Sequence, residues 1–573
     1  MQWEFDLVIR GGTIADGTGC PLYEAEIGIR DGYIVALDGS LGRGRQEIDA
    51  SGLLITPGFV DVHTHYDGQA IWSDRCAPSS SHGVTTVVTG NCGVGFAPCR
   101  ATDHEMLTKV MEGVEDIPEV VMTDGLTWDW EAFPQYLQAI ERRPHDIDIA
   151  TQLPHSALRV YVMGKRGAER EPATAKDLAQ MRRLAREAIS AGAIGFSSSR
   201  LYIHRTSAGD PIPSFEAAEA ELHAIAGALG TLKQGVLQFV LGSPSQSFAE
   251  ELALITRVAQ MSGRPTSYSL AQDPANPEGW RAALAQTARA NAEGISLRAQ
   301  VMPRPIGLLV SHNLSVNPFS LCPSYAPLKN LSLADRIKAL QQPDVRARLL
   351  EEAPGEPTAP LARLGRNFER MFPITDPMDY AQPQRNSISA QAARQGLSPE
   401  ALAYDLLLAE GGQAMLYVAI ANYAYYSLEP AFDMMMDPNA ILGLADGGAH
   451  YGMIADASYP TFVLSYWARD RKVLSLPKAV KALARDTARA VGLYDRGRIA
   501  SGYKADINII DLDRLKVGRP YVSFDLPAGG RRILQDAQGF VATIVAGIPI
   551  SFHGEQLEAR PGRLIRGAKP APH

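Results

Sequence analysis

Eight short apolar runs recur along the middle of the chain, and amphipathic segments separate most of them. The segments at 175–192 and 247–263 carry apolar residues at helical spacing. Strands of a parallel sheet that is covered on both faces are apolar throughout rather than alternating. Eight strand–helix units in series therefore predict an α/β protein built on a (β/α)8 TIM-like barrel. The runs occupy residues 57–63, 83–91, 146–154, 191–199, 235–242, 264–271, 294–303 and 440–448.

Both ends of the chain follow a different pattern, in which apolar and polar residues alternate between Gly and Asp-Gly turns. This pattern predicts that residues 1–56 and 497–573 form one small β-sandwich domain beside a barrel of residues 57–496. The interval of about 304–438 is too long for a single connecting helix. We interpret it as a mainly helical insertion before the last barrel strand, placed to act as a lid.

The composition limits the kinds of partner that the protein is expected to bind. The formal charge of −8 and the isoelectric point near 5.9 give no reason to expect nucleic acid or an anionic membrane as a partner. The first residues lack a signal-peptide pattern, and no apolar stretch approaches the ~20 residues of a membrane span. The five cysteines are sparse and irregularly spaced, which is typical of a reducing compartment. We therefore expect a cytoplasmic protein, and the sequence is compatible with a homo-oligomer.

Two histidines, His63 and His65, stand at the end of the first apolar run, in a chain that has 12 histidines among 573 residues. Residues i and i+2 of a strand point to the same side, so both imidazoles face one space. Paired imidazoles at the carboxyl end of a barrel strand favour a metal site, because barrel active sites lie at that end. The alternative is a chance His-x-His on an exposed strand edge.

Two other strand ends carry groups of the same kind. Cys92 follows the second run in "TGNCGVG", and Asp446 ends the eighth run in "GLADGGAH". Thiolate and carboxylate are both good zinc ligands, and a carboxylate beside a metal can also accept and return a proton. Cys92 could instead be a small buried side chain, and Asp446 could belong to a turn. Their occurrence with the histidine pair at three barrel strand ends favours the site.

These motifs resemble those of the amidohydrolase superfamily. "PGFVDVHTHYDG" is similar to its first-strand motif, and "GVTTVVTGNCGVGFAP" resembles the N-acyl-D-amino-acid deacylase (D-aminoacylase) branch, with "LADGGAH" and "GYKADINIIDLD" in the matching order. The resemblance covers nearly the whole chain. It implies that His63, His65, Asp446 and Cys92 are metal ligands, that Asp446 is the catalytic general base, and that Asp67 orients a ligand.

The chain departs from that branch at two positions. Members of the branch usually carry zinc histidines at the ends of the fifth and sixth strands, where this chain has "GVLQFVLG" and "RPTSYSLAQ". Gln238, Ser267 and Ser269 are among the polar residues there, and none is a strong zinc ligand. We therefore expect one zinc ion rather than two, held by His63, His65 and Asp446, with Cys92 nearby. The alternative is that His155 or His450 supplies a further ligand.

The resemblance implies a hydrolase of C–N bonds other than peptide bonds, which cleaves an N-acyl amino acid, such as an N-acyl-D-amino acid, or a similar small amide with metal-activated water. Two alternatives remain: a hydrolase of a cyclic amide, carbamate or lactone, and a non-catalytic ligand-binding barrel with a degraded metal site. An Arg would suit a substrate carboxylate. The candidate substrate-binding residues beyond the strand ends are Arg159, Arg200, Arg304, His155 and Ser198.

Overall fold

The computed structural model describes residues 3–356 and 360–572, and a barrel of eight parallel strands lies at its centre. Each strand pairs in parallel with the next, and Thr64 pairs with Gly447 just beyond the first and last strands. Each apolar run contains one strand, so the predicted (β/α)8 TIM-like barrel is confirmed. The strands are Phe59–Asp61, Val84–Thr89, Asp148–Pro154, Gly195–Ser199, Val236–Val240, Thr266–Leu270, Leu297–Val301 and Ala440–Leu442.

Helices surround the barrel. The two amphipathic segments form Ala175–Ala191 and Phe248–Ser262, which begin after capping boxes at Thr174 and Ser247. No helix in the described ranges is long and apolar enough to cross a lipid bilayer. The other helices outside the insertion are Gln69–Trp72, His104–Glu115, Glu119–Gly125, Phe133–Glu141, His155–Met163, Lys165–Ala168, Glu219–Leu232, Gly279–Ala292, Tyr459–Phe462, Leu476–Lys481 and Thr487–Ala490, with π-helical turns at Val463–Asp470 and Ala482–Asp486.

The two ends of the chain share one sheet. In that seven-stranded sheet, Leu54–Pro57 pairs with Ile507–Ile510. Its other strands are Thr13–Ile14, Tyr23–Glu24, Phe540–Val545, Ile548–Phe552 and Glu555–Gln556, and a four-stranded sheet holds Phe5–Arg10, Glu26–Arg30, Tyr33–Asp38 and Gly44–Asp49. Isoleucines of both sheets, such as Ile29 and Ile509, form one small core. The β-rich region at the chain ends is therefore confirmed, while its exact boundaries stay a prediction.

The insertion contains more sheet than the sequence predicted. A three-stranded antiparallel sheet consists of Ile306–Val310, Leu416–Ala421 and Met371–Pro373, with its own core around Leu308 and Val418. The prediction of a mainly helical insertion is thus incomplete, because strands far apart in sequence pair across it. Its helices are Leu333–Leu340, Pro343–Glu351, Pro360–Leu364, Ile388–Gln395, Pro399–Leu407, Ala409–Gly412 and Glu429–Met436.

Candidate metal centre and active site

The histidine pair lies directly past the first barrel strand, where the backbone is tied to both neighbouring strands. Thr64 N donates to Val88 O of the second strand at 3.1 Å, and His65 N donates to Gly447 O after the last strand at 2.7 Å. Both imidazoles are about 1% exposed. Buried backbone bonds on either side therefore fix where His63 and His65 enter the barrel mouth.

The predicted ligand atoms of four residues converge. His63 Nε2 lies 3.3 Å from Cys92 Sγ and 3.4 Å from Asp446 Oδ1, and His65 Nε2 lies 3.7 Å from each of the same two atoms. Zinc bonds of about 2.0–2.3 Å in tetrahedral geometry place ligand atoms roughly 3.3–3.8 Å apart. The ligand atoms of His63, His65 and Cys92, which all lie within 4.8 Å of one another, can therefore hold a metal ion, with Asp446 Oδ1 close to both imidazoles.

The backbone around this centre is held in a conformation that L-residues rarely adopt. Cys92, Asp446 and His450 have φ angles of 55°, 49° and 51°, all in the left-handed region. Such backbone costs of order 1–3 kcal/mol a residue and tends to occur at functional sites. Glycine would adopt the same angles without this energetic cost. The presence of Cys, Asp and His at these positions therefore supports a role for their side chains in the site.

A different partner holds the outer nitrogen of each ring. His63 Nδ1 lies 2.7 Å from Gln300 Oε1, and His65 Nδ1 lies 3.3 Å from Glu115 Oε1. An amide oxygen can only accept, so His63 Nδ1 carries a proton and its Nε2 is free to bind a cation. Such partners of metal-binding histidines orient the ring.

Burial and neighbouring charges set the protonation of the acidic groups in this centre. Burial raises the pKa of the Cys92 thiol to about 12, although His65 works against that shift. A bound cation would favour the thiolate instead. Burial also opposes ionisation of Asp446, but the hydrogen bond with His65 and the nearby charge of His63 hold the pKa of its carboxyl below the ordinary value. Asp446 is thus an anion that faces two imidazoles.

The fifth and sixth strands supply hydrogen bonds rather than imidazoles. Gln238 Oε1 accepts from Cys92 N at 3.1 Å, and Ser267 Oγ accepts from Gln300 Nε2 at 3.0 Å. Both hydrogen bonds connect these residues to the metal centre, because Cys92 is part of the centre and Gln300 contacts His63. The two polar residues therefore support the centre from the positions where a second pair of histidines is absent from the sequence.

A cavity of about 790 Å³ opens beside the centre, and His63, His65, Cys92, Asp446 and His450 line it. Most of its remaining wall is apolar. Residues of the barrel loops and of the insertion share this wall, including Leu201, Phe248, Trp280, Ile306, Leu321 and Ile420. Residues of the insertion thus line the cavity, while its role as a lid stays a prediction. The cavity is large enough for a small organic molecule.

The predicted substrate arginines lie elsewhere. The guanidinium of Arg159 pairs with Glu221 at 3.0 Å, and that of Arg200 with Glu251 at 2.9 Å. Arg304 pairs with Asp456 at 3.0 Å and lies over the Tyr380 ring. All three are buried, and in the described part of the chain none lines the cavity. Each of the three guanidinium groups already pairs with a carboxylate inside the protein, so little positive charge remains to bind a substrate carboxylate.

The two other predicted substrate residues contact each other. His155 Nδ1 lies 2.8 Å from Ser198 Oγ, and His155 Nε2 lies 2.8 Å from Glu221 Oε1. Both nitrogens of this buried imidazole are therefore occupied, and neither residue lines the cavity as described. His450 differs, because it does line the cavity and its Nε2 lies 4.0 Å from Asp446 Oδ2.

Sequence reasoning missed three polar residues around the centre. Glu115 and Gln300 hold the imidazoles, and His204 lines the cavity beside them. One signal was present: Glu115 continues the spacing of Leu107 and Met111 on the apolar face of its helix. A carboxylate on a buried face needs a partner, so the position itself indicated a polar site.

The comparisons with known proteins assign the family. Residues 46–550 match the sequence profile of the amidohydrolase family. The match spans most of the chain and includes the barrel and the metal centre. The chain therefore belongs to the amidohydrolase family.

Within that family the chain is similar to deacylases of D-amino-acid derivatives. It is 27% identical to N-acyl-D-glutamate deacylase of Alcaligenes xylosoxydans xylosoxydans over 575 aligned residues, which cover 99% of this chain and 97% of that protein. It is 37% identical to D-aminoacylase of the same organism over 199 residues, but these cover only 35% of this chain and 38% of that protein. A solved D-aminoacylase, described as having a binuclear metal centre, shares the fold with a TM-score of 0.66 and 22% identity, covering 98% and 100% of the two chains.

Proposed function

We propose that the protein is a metal-dependent hydrolase that cleaves the amide bond of an N-acyl amino acid, of the N-acyl-D-amino-acid kind. The convergence of His63, His65, Cys92 and Asp446 on one space beside a large, mostly apolar cavity supports this proposal most directly. The likeness to two deacylases of D-amino-acid derivatives supports the substrate class.

The ligand set favours zinc, which binds imidazole, thiolate and carboxylate. We propose one ion, held by His63, His65 and Asp446 with Cys92 as the further donor, because Gln238 and the serines of the sixth strand replace the imidazoles of a second site. When bound, zinc polarises a carbonyl group and lowers the pKa of a water molecule from 15.7 to about 7. The five free cysteines fit the proposal of a cytoplasmic location.

Asp446 has the position of a proton carrier in this reaction. Its side chain is 22% exposed and lines the cavity, whereas the imidazoles beside it are buried. Its carboxyl is ionised, so with Oδ1 beside the imidazoles, Oδ2 is the oxygen that takes the proton of the attacking water and then returns it to the departing nitrogen. Gln300 and Glu115 keep the imidazoles aligned during this transfer.

Arg205 replaces the predicted arginines as the proposed partner of a substrate carboxylate. It belongs to the loop after the fourth strand and lines the cavity. Its Nη1 donates to Gly209 O at 2.9 Å, and within the described residues its guanidinium makes no other hydrogen bond, which leaves donors for a substrate carboxylate.

We expect the purified protein to release free amino acids from a panel of N-acyl-D-amino acids, measured by a ninhydrin or coupled-oxidase assay. Removing the metal with a chelator should abolish this release, and adding zinc should restore it. Matched N-acyl-L-amino acids, cyclic imides and lactones serve as comparison substrates. Turnover of the cyclic substrates alone would contradict the proposed substrate class, and no turnover with any substrate after zinc addition would favour a binding protein.

We expect about one equivalent of zinc per chain by elemental analysis after exhaustive dialysis, because three clustered donors and the nearby Asp446 carboxylate can hold one ion, and the fifth and sixth strands carry no histidines to hold a second. Cys92→Ala should weaken zinc binding, while Cys99→Ala, a buried cysteine outside the ligand set, should not. Two tightly held equivalents in the wild type would contradict the single-metal proposal.

A further inference from the structure

Glu115 occupies a position that disfavours a carboxylate. It is the last residue of the helix His104–Glu115, and it is about 1% exposed. The carbonyl end of a helix carries a partial negative charge, so an anion there is destabilising. Burial adds a further cost, since a carboxylate loses its hydration. Neither helix formation nor packing explains why this residue is glutamate.

Its contacts point to the metal centre instead. Glu115 Oε1 lies 3.3 Å from His65 Nδ1, and Glu115 Oε2 lies 3.6 Å from His450 Nε2. Neither Glu115 Oε1 nor His65 Nδ1 has a hydrogen-bond partner in the described chain, so these two buried atoms face each other at ion-pair distance. The Glu115 carbonyl oxygen also accepts a hydrogen bond from His450 N. Glu115 thus contacts both His65, which follows the first barrel strand, and His450, which lies in the loop after the last barrel strand.

The neighbouring residue fixes this helix end in place. Asp116 Oδ2 accepts from Gly452 N and from Ser315 Oγ, both at 2.9 Å. Gly452 follows the Asp446 loop, and Ser315 belongs to the insertion. Because three segments meet at this point, the Glu115 carboxylate has a defined direction relative to His65.

We propose that Glu115 is a positioning residue for the metal centre, and this inference rests on the proposed metal-dependent function. Its carboxylate keeps the proton of His65 on Nδ1, which leaves the Nε2 lone pair directed at the space shared with Cys92 Sγ and Asp446 Oδ1. Gln300 does the same for His63.

The test compares Glu115→Gln and Glu115→Ala with Glu105→Gln, which changes an exposed residue of the same helix. Zinc affinity is measured by competition with a chromophoric chelator, and the cobalt-substituted proteins are compared by visible absorption. We expect Glu115→Ala to bind zinc about 10–100-fold more weakly and to show an altered cobalt spectrum, whereas Glu115→Gln, whose amide oxygen can still accept from His65 Nδ1, should lose less affinity. Glu105→Gln should match the wild type in both measurements.

Thermal denaturation of the metal-free proteins separates positioning from a structural role. Glu115→Gln keeps the side-chain shape, so we expect the melting temperature of its metal-free form to match that of the wild type. Zinc affinity of Glu115→Ala within about twofold of the wild type would overturn the proposal, as would a fall in affinity that accompanies a clearly lower metal-free melting temperature in both variants. If the wild type binds zinc but hydrolyses no amide, the proposed function fails while these binding measurements still decide the role of Glu115.

Discussion

Asp446→Asn is expected to lower kcat/KM for N-acyl amino acid hydrolysis by about 10²–10⁴-fold, the usual contribution of a general acid–base group. The amide has the shape of the carboxylate, but it cannot take a proton from water and return it to the leaving nitrogen. Asp446 faces the cavity, and its Oδ1 lies 3.4 Å from His63 Nε2, so the substituted group would still stand at the centre.

Metal content decides how this loss is interpreted. The assay is run at saturating zinc, and the bound metal is measured in the same samples, so that lost activity is separated from lost metal. Asp433→Asn, an exposed aspartate that pairs with Arg281, is the matched control and should retain full activity. An Asp446→Asn enzyme that keeps its metal and turns over at the wild-type rate would show that another group carries the proton.

The barrel and the core of the metal centre could be predicted from sequence because both depend on local patterns. An apolar run identifies a buried parallel strand, and the residues just past it must lie at the carboxyl edge of the barrel. His63, Cys92 and Asp446 follow three such runs, and the structure brings their ligand atoms together. The position of these residues after three strands favoured this convergence, and the resemblance to the amidohydrolase superfamily implied it.

The arginines show the limit of that reasoning. Arg159 and Arg200 also follow strand ends, but their guanidinium groups turn to Glu221 and Glu251 on later helices. Position along a strand predicts the edge at which a residue lies, not the direction of a long side chain. A buried arginine takes the nearest buried carboxylate, and that partner is about 50–60 residues away in sequence.

The sheet within the insertion could not be predicted for a related reason. Ile306–Val310 pairs with Leu416–Ala421 across more than a hundred residues, and the short strand Met371–Pro373 completes the sheet. Each segment alone is a short apolar run, which suits a buried helix as well as a strand. Only the pairing of these segments with one another distinguishes a strand from a helix here, and the periodicity of a segment contains no information about distant partners.

A second large effect is expected at Asp148, which joins the barrel to the C-terminal part of the chain. Asp148 Oδ2 accepts from Arg496 Nη1 and from Lys504 Nζ, both at 2.6 Å, and Oδ1 accepts from Arg563 N at 2.9 Å. Asp148 and Arg496 are about 2% and 4% exposed. Removing one member of a buried ion pair costs about 3–5 kcal/mol, because the remaining charge loses its partner without regaining water.

Asp148→Ala is therefore expected to lower the free energy of unfolding by about that amount in urea denaturation at pH 7, with wild-type metal content. Asp405→Ala removes an exposed partner of Arg346 and should shift the midpoint little. Although burial opposes ionisation, Lys504 and Arg496 hold the pKa of Asp148 below its ordinary value of 3.8. A lowered pKa stabilises the folded protein above the ordinary value, so the difference between wild type and variant should be full at pH 7 and shrink as the pH falls below about 4. A difference below about 1 kcal/mol at pH 7, or one that grows in acid, would show that this buried cluster does not hold the chain ends against the barrel.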